Sequence, residues 1–228
     1  MTYTVKTNLK PTALHGISDA QIAQHWKLYE GYVANVNALT EDLDALRTQR
    51  RGGTTLYADR RRRRGFEFNG MVLHEYYFGN LKAGTPEPRA ESPLGMTLAQ
   101  HFGSFAAFKE DFLSTGATRS VGWAILYLDP MTMSLTNHFI ELHEGGHIAG
   151  FAPLLVMDVW EHAYMVDHDA SGRAEYMKAF FANINWPMVT ARYAAASAGR
   201  AVVRGIADQR SGVARRLGHG SHDANVSA

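Results

Sequence analysis

The spacing of apolar residues predicts two long helices in the first third of the chain. Between residues 18 and 47 apolar positions recur at helical intervals, and Ser18 and Asp19 precede them as candidate N-caps. A second dense set of apolar positions predicts a helix from about Asp59 to Leu81. The segment RRGGTT at 50–55 interrupts the pattern, so we expect the two helices to form an antiparallel hairpin.

The second half of the chain mixes helical and strand patterns. Residues 82–95 hold three of the seven prolines and predict a linker, and residues 97–114 predict one helix. Short apolar runs predict three strands, at 123–128, 134–143 and 153–158. Helical spacing returns at 174–186 and in a shorter piece that ends near Ala196. The predicted fold class is therefore α+β, an N-terminal helical hairpin followed by an α/β domain with a small three-stranded antiparallel sheet.

These elements divide the chain into two predicted domains and a tail. The hairpin domain would occupy residues 1–90, and the α/β domain would occupy residues 91–195. Residues 196–228 are rich in glycine, serine, alanine and arginine and lack apolar periodicity. We therefore expect a disordered basic tail there.

Composition narrows the class of protein and the kinds of site. The chain has no cysteine, which excludes disulfides, thiolate metal sites and cysteine nucleophiles. No apolar run approaches the roughly 18–20 residues of a membrane span. The N-terminal segment lacks the apolar core of a secretory signal. A cytoplasmic protein with no membrane partner is the expectation.

Positive charge is concentrated in two places, although the net charge is only +1. Residues 47–64 contain eight arginines, and the last 33 residues contain five arginines against two aspartates. Such runs can bind nucleic acid or acidic partners. They can equally form a solvated helix face with counter-charges. We favour the second interpretation and do not expect a nucleic-acid partner.

Four polar residues in apolar surroundings are candidates for a metal site. The segment LLVMDVWEHAYMVD at 154–167 places Asp158 and His162 directly after a predicted buried strand. His25 and His74 lie among apolar residues of the two predicted hairpin helices. Three imidazoles and one carboxylate suit iron, manganese or zinc. The alternative is a set of core histidines that are satisfied by hydrogen bonds, since buried polar groups are costly unless paired.

The segment DVWEHAYMVD resembles the D-x-W-E-H-A-[YF]-Y signature of the iron/manganese superoxide dismutases. Further matches follow in the family's order: HEYYFGNL at 74–81, FGSFAAFKEDF at 102–112, GWAIL at 122–126 and KAFFANINW at 178–186. The resemblance covers roughly residues 14–195 and implies the same hairpin and α/β domain. It also implies conversion of superoxide to dioxygen and hydrogen peroxide at a mononuclear site with one iron or manganese ion per subunit. The implied ligands are His25, His74, Asp158 and His162, two of them from the α/β domain.

The resemblance implies roles for several neighbouring residues. Tyr32 and Trp123 match the family's pocket tyrosine and tryptophan, and Trp160 would form a dry wall of the site. Glu161 would reach across a dimer interface to His162 of a second subunit, which implies a homodimer or higher homo-oligomer. The position four before His74 is Gly70, so the hairpin offers no polar group there to tune the bound solvent. His143 stands where related enzymes carry that group.

The chain also departs from the family pattern. Tyr32 follows His25 by seven residues, one fewer than in the family, so we expect the first helix to lack a π-bulge. Tyr29 replaces the gateway histidine, and Met165 replaces its tyrosine partner. These changes leave two alternatives open. One is a metal-dependent oxidoreductase or oxygenase with a reworked funnel, and the other is a non-catalytic metal- or nucleic-acid-binding module. The choice between iron and manganese also stays open.

Overall fold

A hairpin of two long helices forms the first part of the structure. The computed structural model describes residues 2–198, in which helix α1 spans Asp19–Thr48 and helix α2 spans Thr55–Gly79. The two helices pack against each other along one apolar core, which continues from the hairpin into the sheet. The predicted hairpin and the α+β fold class are confirmed.

The ends of the two helices are fixed by side-chain caps. Ser18 accepts a hydrogen bond from the backbone N–H of Gln21, which starts α1 where the sequence predicted. Thr54 caps α2 in the same way, so α2 begins at Thr55 rather than at Asp59. The helix ends at Gly79, two residues before the predicted Leu81.

The single helix predicted at 97–114 is in fact two helices, α3 (Pro93–Phe102) and α4 (Phe105–Gly116). Gly103 adopts a φ of 85°, a left-handed conformation that ends α3. Ser104 then caps α4 by accepting from the backbone N–H of Ala107. Helix α3 begins at Pro93, inside the predicted linker, because proline is well suited to the first helical turn.

Three antiparallel strands form the predicted small sheet. Strands β1 (Gly122–Leu128), β2 (Leu135–Glu141) and β3 (Ala152–Asp158) are arranged in the order β2-β1-β3. All seven residues of the central strand β1 are buried. In the register of β1 with β3, Trp123 lies opposite Asp158. The sheet thus brings together two residues that the sequence had placed in the site.

Strand β2 is shorter than the predicted segment 134–143. It ends at Glu141, because Leu142 adopts a left-handed φ of 53° that is incompatible with a strand. His143 therefore lies in the loop after the strand, where it is fully buried.

Helices follow the sheet in the described part of the chain. A short 3-10 helix, Glu161–Ala163, follows β3 and is followed by helix α5 (Arg173–Ala182). Residues 186–198 are helical, so the helix predicted at 174–186 is interrupted after Ala182. Of the predicted tail, residues 196–198 continue this last helix, and the rest lies outside the described residues. Among residues 2–198, no helix is long and apolar enough to cross a membrane.

Candidate metal centre

Four side chains from four elements converge at one place in the core. His25 comes from α1, His74 from α2, Asp158 from the end of β3 and His162 from the 3-10 helix after it. Each offers one ligand atom, and these atoms all lie within 4.8 Å of one another. Three of the side chains are fully buried, whereas the side chain of His162 is 20% exposed. The structure thus brings together all four residues that the sequence had grouped.

The three histidines surround a single carboxylate oxygen. The Nε2 atoms of His25 and His162 each lie 3.1 Å from Oδ2 of Asp158, and Nε2 of His74 lies 3.8 Å from it. The other oxygen of Asp158 accepts a hydrogen bond from the backbone N–H of Trp160 at 2.9 Å. One oxygen of the carboxylate is therefore held by the backbone, and the other is directed at the imidazoles.

The orientation of His74 shows which of its two ring nitrogens is available to bind a metal ion. Its Nδ1 lies 2.6 Å from the carbonyl oxygen of Gly70, which can only accept, so Nδ1 carries the proton. In the neutral ring Nε2 then presents a lone pair to the cluster. This Nε2 is buried and has no hydrogen-bond partner within residues 2–198. A buried lone pair without a partner requires an explanation, and a metal ion in the cluster would supply one.

The charge states of the cluster are those of metal ligands. Burial lowers the pKa of His25. The pKa of His74 is lowered still further, by its own burial and by the neighbouring His25. Burial alone would raise the pKa of Asp158, but His162 and His25 hold it well below its usual value. The cluster therefore combines two neutral imidazoles, those of His25 and His74, with an ionised carboxylate. Metal binding needs this protonation state, and the donor set fits iron or manganese.

Two residues that the sequence did not reveal support the cluster by hydrogen bonds to the backbone of its ligand residues. Gln21 is buried and donates from Nε2 to the carbonyl oxygen of His162 at 2.7 Å, while its Oε1 accepts from the N–H of Val166. The hydroxyl of Tyr176 donates to the carbonyl oxygen of Asp158 at 2.7 Å. The one available signal was that Gln21 is polar and lies beside the apolar face of α1.

Tyr32, His143 and Trp123 form a hydrogen-bonded chain beside the cluster. The indole N–H of Trp123 donates to Nδ1 of His143 at 3.0 Å, and Nε2 of His143 lies 2.7 Å from the hydroxyl oxygen of Tyr32. Because an indole can only donate, Nδ1 accepts, and the neutral imidazole carries its proton on Nε2. His143 therefore donates to Tyr32, which leaves the O–H proton of Tyr32 free for another acceptor.

The pKa values of His143 and Tyr32 agree with that assignment. Burial lowers the pKa of His143 to about 4, so the ring stays neutral near pH 7. Burial raises the pKa of Tyr32 above its usual range, so the phenol keeps its proton. The rings of Tyr32 and His74 lie 5.0 Å apart, which places Tyr32 against the cluster.

The shorter spacing between His25 and Tyr32 leaves α1 regular. The helix is α-helical throughout Asp19–Thr48, as the missing residue predicted. Seven residues are close to two turns at about 3.6 residues per turn, so His25 and Tyr32 share one face. Gly70 makes room for the tyrosine, since a Cβ at this position would lie 2.6 Å from the Tyr32 ring.

Tyr29 does not lie where the sequence analysis expected it. Its side chain is fully buried, and its hydroxyl accepts from the backbone N–H of Lys6 and donates to Glu75. Burial raises the pKa of Tyr29 to about 12. Because the N-terminal segment covers it, Tyr29 is part of the hairpin core rather than a gateway residue.

The other residues named from the signature lie on the open side of the cluster. Trp160 stacks on His162 at 5.5 Å between ring centroids and lies 5.1 Å from the ring of His143. Glu161 is exposed, and Met165 is 48% exposed. Trp160 thus covers the partly exposed ligand, and Glu161 and Met165 form the surface next to it.

Most of the arginine run in α2 has partners within the hairpin. The contacts are Arg60 with Asp42, Arg61 with Tyr57, Arg63 with Glu67 and Arg64 with Thr40. These pairs agree with a helix face that carries its own counter-charges. The arginines at 200–216 lie outside the described residues.

Comparison with known proteins gives a consistent set of relatives. The family described as iron/manganese superoxide dismutases, C-terminal domain, matches residues 90–192. An iron superoxide dismutase of Aquifex aeolicus is 36% identical over 193 residues, which cover 82% of this chain and 89% of that protein. A manganese superoxide dismutase of Haloferax volcanii is 33% identical over 166 residues, which cover 72% of this chain and 80% of that protein. An iron superoxide dismutase of Methanothermobacter marburgensis is 32% identical over 184 residues, which cover 78% of this chain and 88% of that protein.

Proposed function

The chain belongs to the iron/manganese superoxide dismutase family, and on this premise we propose that it converts superoxide to dioxygen and hydrogen peroxide. We assign one iron or manganese ion per subunit to the cluster of His25, His74, Asp158 and His162. The observation that carries the proposal is the convergence of three imidazole Nε2 atoms on one buried carboxylate oxygen, with Nε2 of His74 otherwise unpartnered. Both metals stay in the proposal, since relatives of both kinds resemble this chain.

Iron or manganese bound at this cluster supplies one-electron redox chemistry. Two superoxide anions and two protons give one dioxygen and one hydrogen peroxide, so the protein must deliver protons as well. The O–H proton of Tyr32 is one that its hydrogen bond with His143 leaves free. When Tyr32 gives up this proton, the N–H of His143 stabilises the phenolate oxygen. Trp123 keeps His143 in the tautomer that can do so.

The walls of the site favour a small substrate. The rings of Trp123 and Tyr32 lie 5.1 Å and 5.0 Å from the ring of His74, and Trp160 covers His162. These contacts leave little room for an organic substrate beside the cluster. They also restrict water, which strengthens the electrostatic interactions within the site.

We propose a homodimer in which Glu161 reaches His162 of a second copy. Glu161 is exposed, and His162 is the one partly exposed ligand of the four. Met165 and Val166, at 48% and 42% exposure, add apolar surface next to them that a dimer would bury. A carboxylate bonded to the second nitrogen of a ligand histidine fixes its tautomer and raises its basicity.

The cytoplasmic location and the domain boundaries stay predictions, to be tested by cell fractionation and limited proteolysis.

The ligand assignment is tested by removing one imidazole. His74→Ala should abolish stoichiometric iron or manganese and, with it, superoxide turnover. His101→Ala is the matched control, because His101 lies on α3 and bonds its own helix at Thr97 instead of the cluster. Full metal content in His74→Ala would refute the assignment. Full metal without superoxide turnover in the wild type would instead favour an oxidoreductase with another substrate.

A further inference from the structure

The backbone of His143 is held by two side chains outside the ligand set. Its carbonyl oxygen accepts a hydrogen bond from Nδ2 of Asn69 at 2.8 Å and another from Nε2 of His147 at 3.1 Å. Asn69 belongs to α2, the helix that carries His74, and is separated from His143 by 74 residues. The hairpin and the loop after β2 are therefore linked at the residue that donates to Tyr32.

The second donor is itself fixed. A carbonyl oxygen can only accept, so Nε2 of His147 carries the proton, and in the neutral ring Nδ1 accepts. The hydroxyl of Tyr127, on β1, lies 2.9 Å from this Nδ1 and supplies the matching donor. Burial raises the pKa of Tyr127 to about 12, which keeps that hydroxyl protonated. His147 is exposed, however, so water competes for its hydrogen bonds, and Asn69 is the stronger of the two contacts.

Backbone hydrogen bonds hold the loop on either side of His143, from the N–H of Leu142 to the carbonyl oxygen of Val121 and between Glu141 and Gly145. The carbonyl of His143 itself is held by side chains. Leu142, immediately before His143, has a left-handed φ of 53°, which is uncommon for a residue with a branched side chain. Strand β2 has already ended at Glu141. A backbone in a sparsely populated conformation persists only where its surroundings determine it. The hydrogen bonds to the carbonyl of His143 are part of those surroundings.

We propose that Asn69 is a positioning residue for proton delivery, supported by His147. By holding the carbonyl of His143, Asn69 sets the point from which the imidazole donates to Tyr32. The sequence offered no polar group at Gly70, and the structure shows one at the neighbouring position that acts on the backbone of His143 instead of on the cluster. The inference rests on the proposed function, since it assigns Asn69 to the same proton path.

The main variant is Asn69→Leu, which keeps the branched shape and the same number of non-hydrogen atoms and removes the donor. Asn37→Leu is the matched control: Asn37 is also a half-buried helical amide that donates to a backbone carbonyl, that of Tyr3 at 2.9 Å. The double variant Asn69→Leu/His147→Phe removes both donors to His143. All variants are compared as metal-loaded full-length protein, with metal content and melting temperature recorded.

We expect Asn69→Leu to retain its metal and to lose about tenfold in kcat with KM unchanged, in the range typical of residues that support a metal site. The double variant should lose more, and Asn37→Leu should keep the wild-type kcat even if its melting temperature falls. Crystal structures should show the Tyr32 oxygen and Nε2 of His143 beyond hydrogen-bonding distance in Asn69→Leu, against 2.7 Å in the wild type.

Two results would overturn the inference. One is a wild-type kcat in both Asn69→Leu and the double variant at full metal content. The other is an unchanged Tyr32–His143 separation in the crystal structures of these variants. A fully metallated wild type without superoxide turnover would refute the proposed function instead, and the crystallographic comparison would still decide the role of Asn69. If Asn69→Leu fails to fold, Asn69→Ala, which removes the same donor without added bulk, is judged by the same two criteria.

Discussion

Replacing Gly70 with alanine should push Tyr32 out of its place beside the cluster. A Cβ at residue 70 would lie 2.6 Å from two carbons of the Tyr32 ring and 3.0 Å from a third. Carbon atoms pack best at roughly 3.5–4.0 Å, so the ring must move by about 1 Å. The hydrogen bond from His143 to Tyr32 is 2.7 Å long and would not survive a shift of this size away from His143.

The effect on stability is the difference between two opposing contributions. Overpacking a core position costs about 1–3 kcal/mol. The replacement of glycine within a helix contributes about 1 kcal/mol in the opposite direction. The net loss should therefore be about 0–2 kcal/mol, which leaves a folded protein. The effect on turnover should be larger, because a displacement of about 1 Å at a reacting group can lower the rate by about 10²-fold.

The assay compares superoxide turnover, metal content and melting temperature in two variants. Gly65→Ala is the matched control, since Gly65 is also in α2 and has nothing within 4 Å of an added Cβ. We expect Gly65→Ala to be slightly stabilised and fully active, and Gly70→Ala to hold its metal and turn over slowly. Wild-type turnover in Gly70→Ala together with a raised melting temperature would show that Tyr32 is not where the structure has it.

Three further predictions follow from the surface, the termini and the protonation states. Glu161→Ala should weaken both the dimer and metal binding, the latter by about 10–100-fold, and a wild type that sediments as a monomer would contradict the proposed interface. Removal of residues 199–228 should leave melting temperature and metal content unchanged, because their composition lacks apolar periodicity, and a large fall in either would show that they pack on the body. In metal-free protein the free energy of unfolding should decrease as the pH falls from about 6.5 to about 4, because the unfolded chain binds a proton at His143 near its ordinary pKa of 6.5 and the folded protein only near 4. Unfolding by denaturant at several pH values measures this, and replacing His143 with glutamine should reduce the slope.

The ligand residues could be predicted from the sequence because they break a strong pattern. Asp158 and His162 follow an apolar strand, and His25 and His74 interrupt apolar helix faces, so each is conspicuous without any structure. The hairpin was equally clear, since long periodic segments determine their own secondary structure. The break between α3 and α4 was missed, although Gly103 is visible in the sequence, because an isolated glycine does not by itself require a left-handed conformation.

The remaining residues depend on tertiary contacts that no local pattern encodes. Tyr29 lies close to the helical face of His25, yet the N-terminal segment covers it and turns an expected gateway residue into a core residue. Asn69 differs from other polar residues of α2 only in what the loop at His143 places opposite it. Gly70 offers no functional group in the sequence, whereas in the structure its missing side chain is what admits Tyr32.

The central claim is most directly tested by measuring metal content and superoxide turnover on the same samples of wild-type protein. Samples loaded with different fractions of iron or manganese would be assayed by mass spectrometry and by direct observation of superoxide decay. We predict that turnover rises in proportion to one of these metals, reaches its maximum near one ion per subunit, and disappears when the metal is removed. Superoxide decay no faster than in buffer at one ion per subunit, or turnover that does not depend on metal content, would contradict the proposed function.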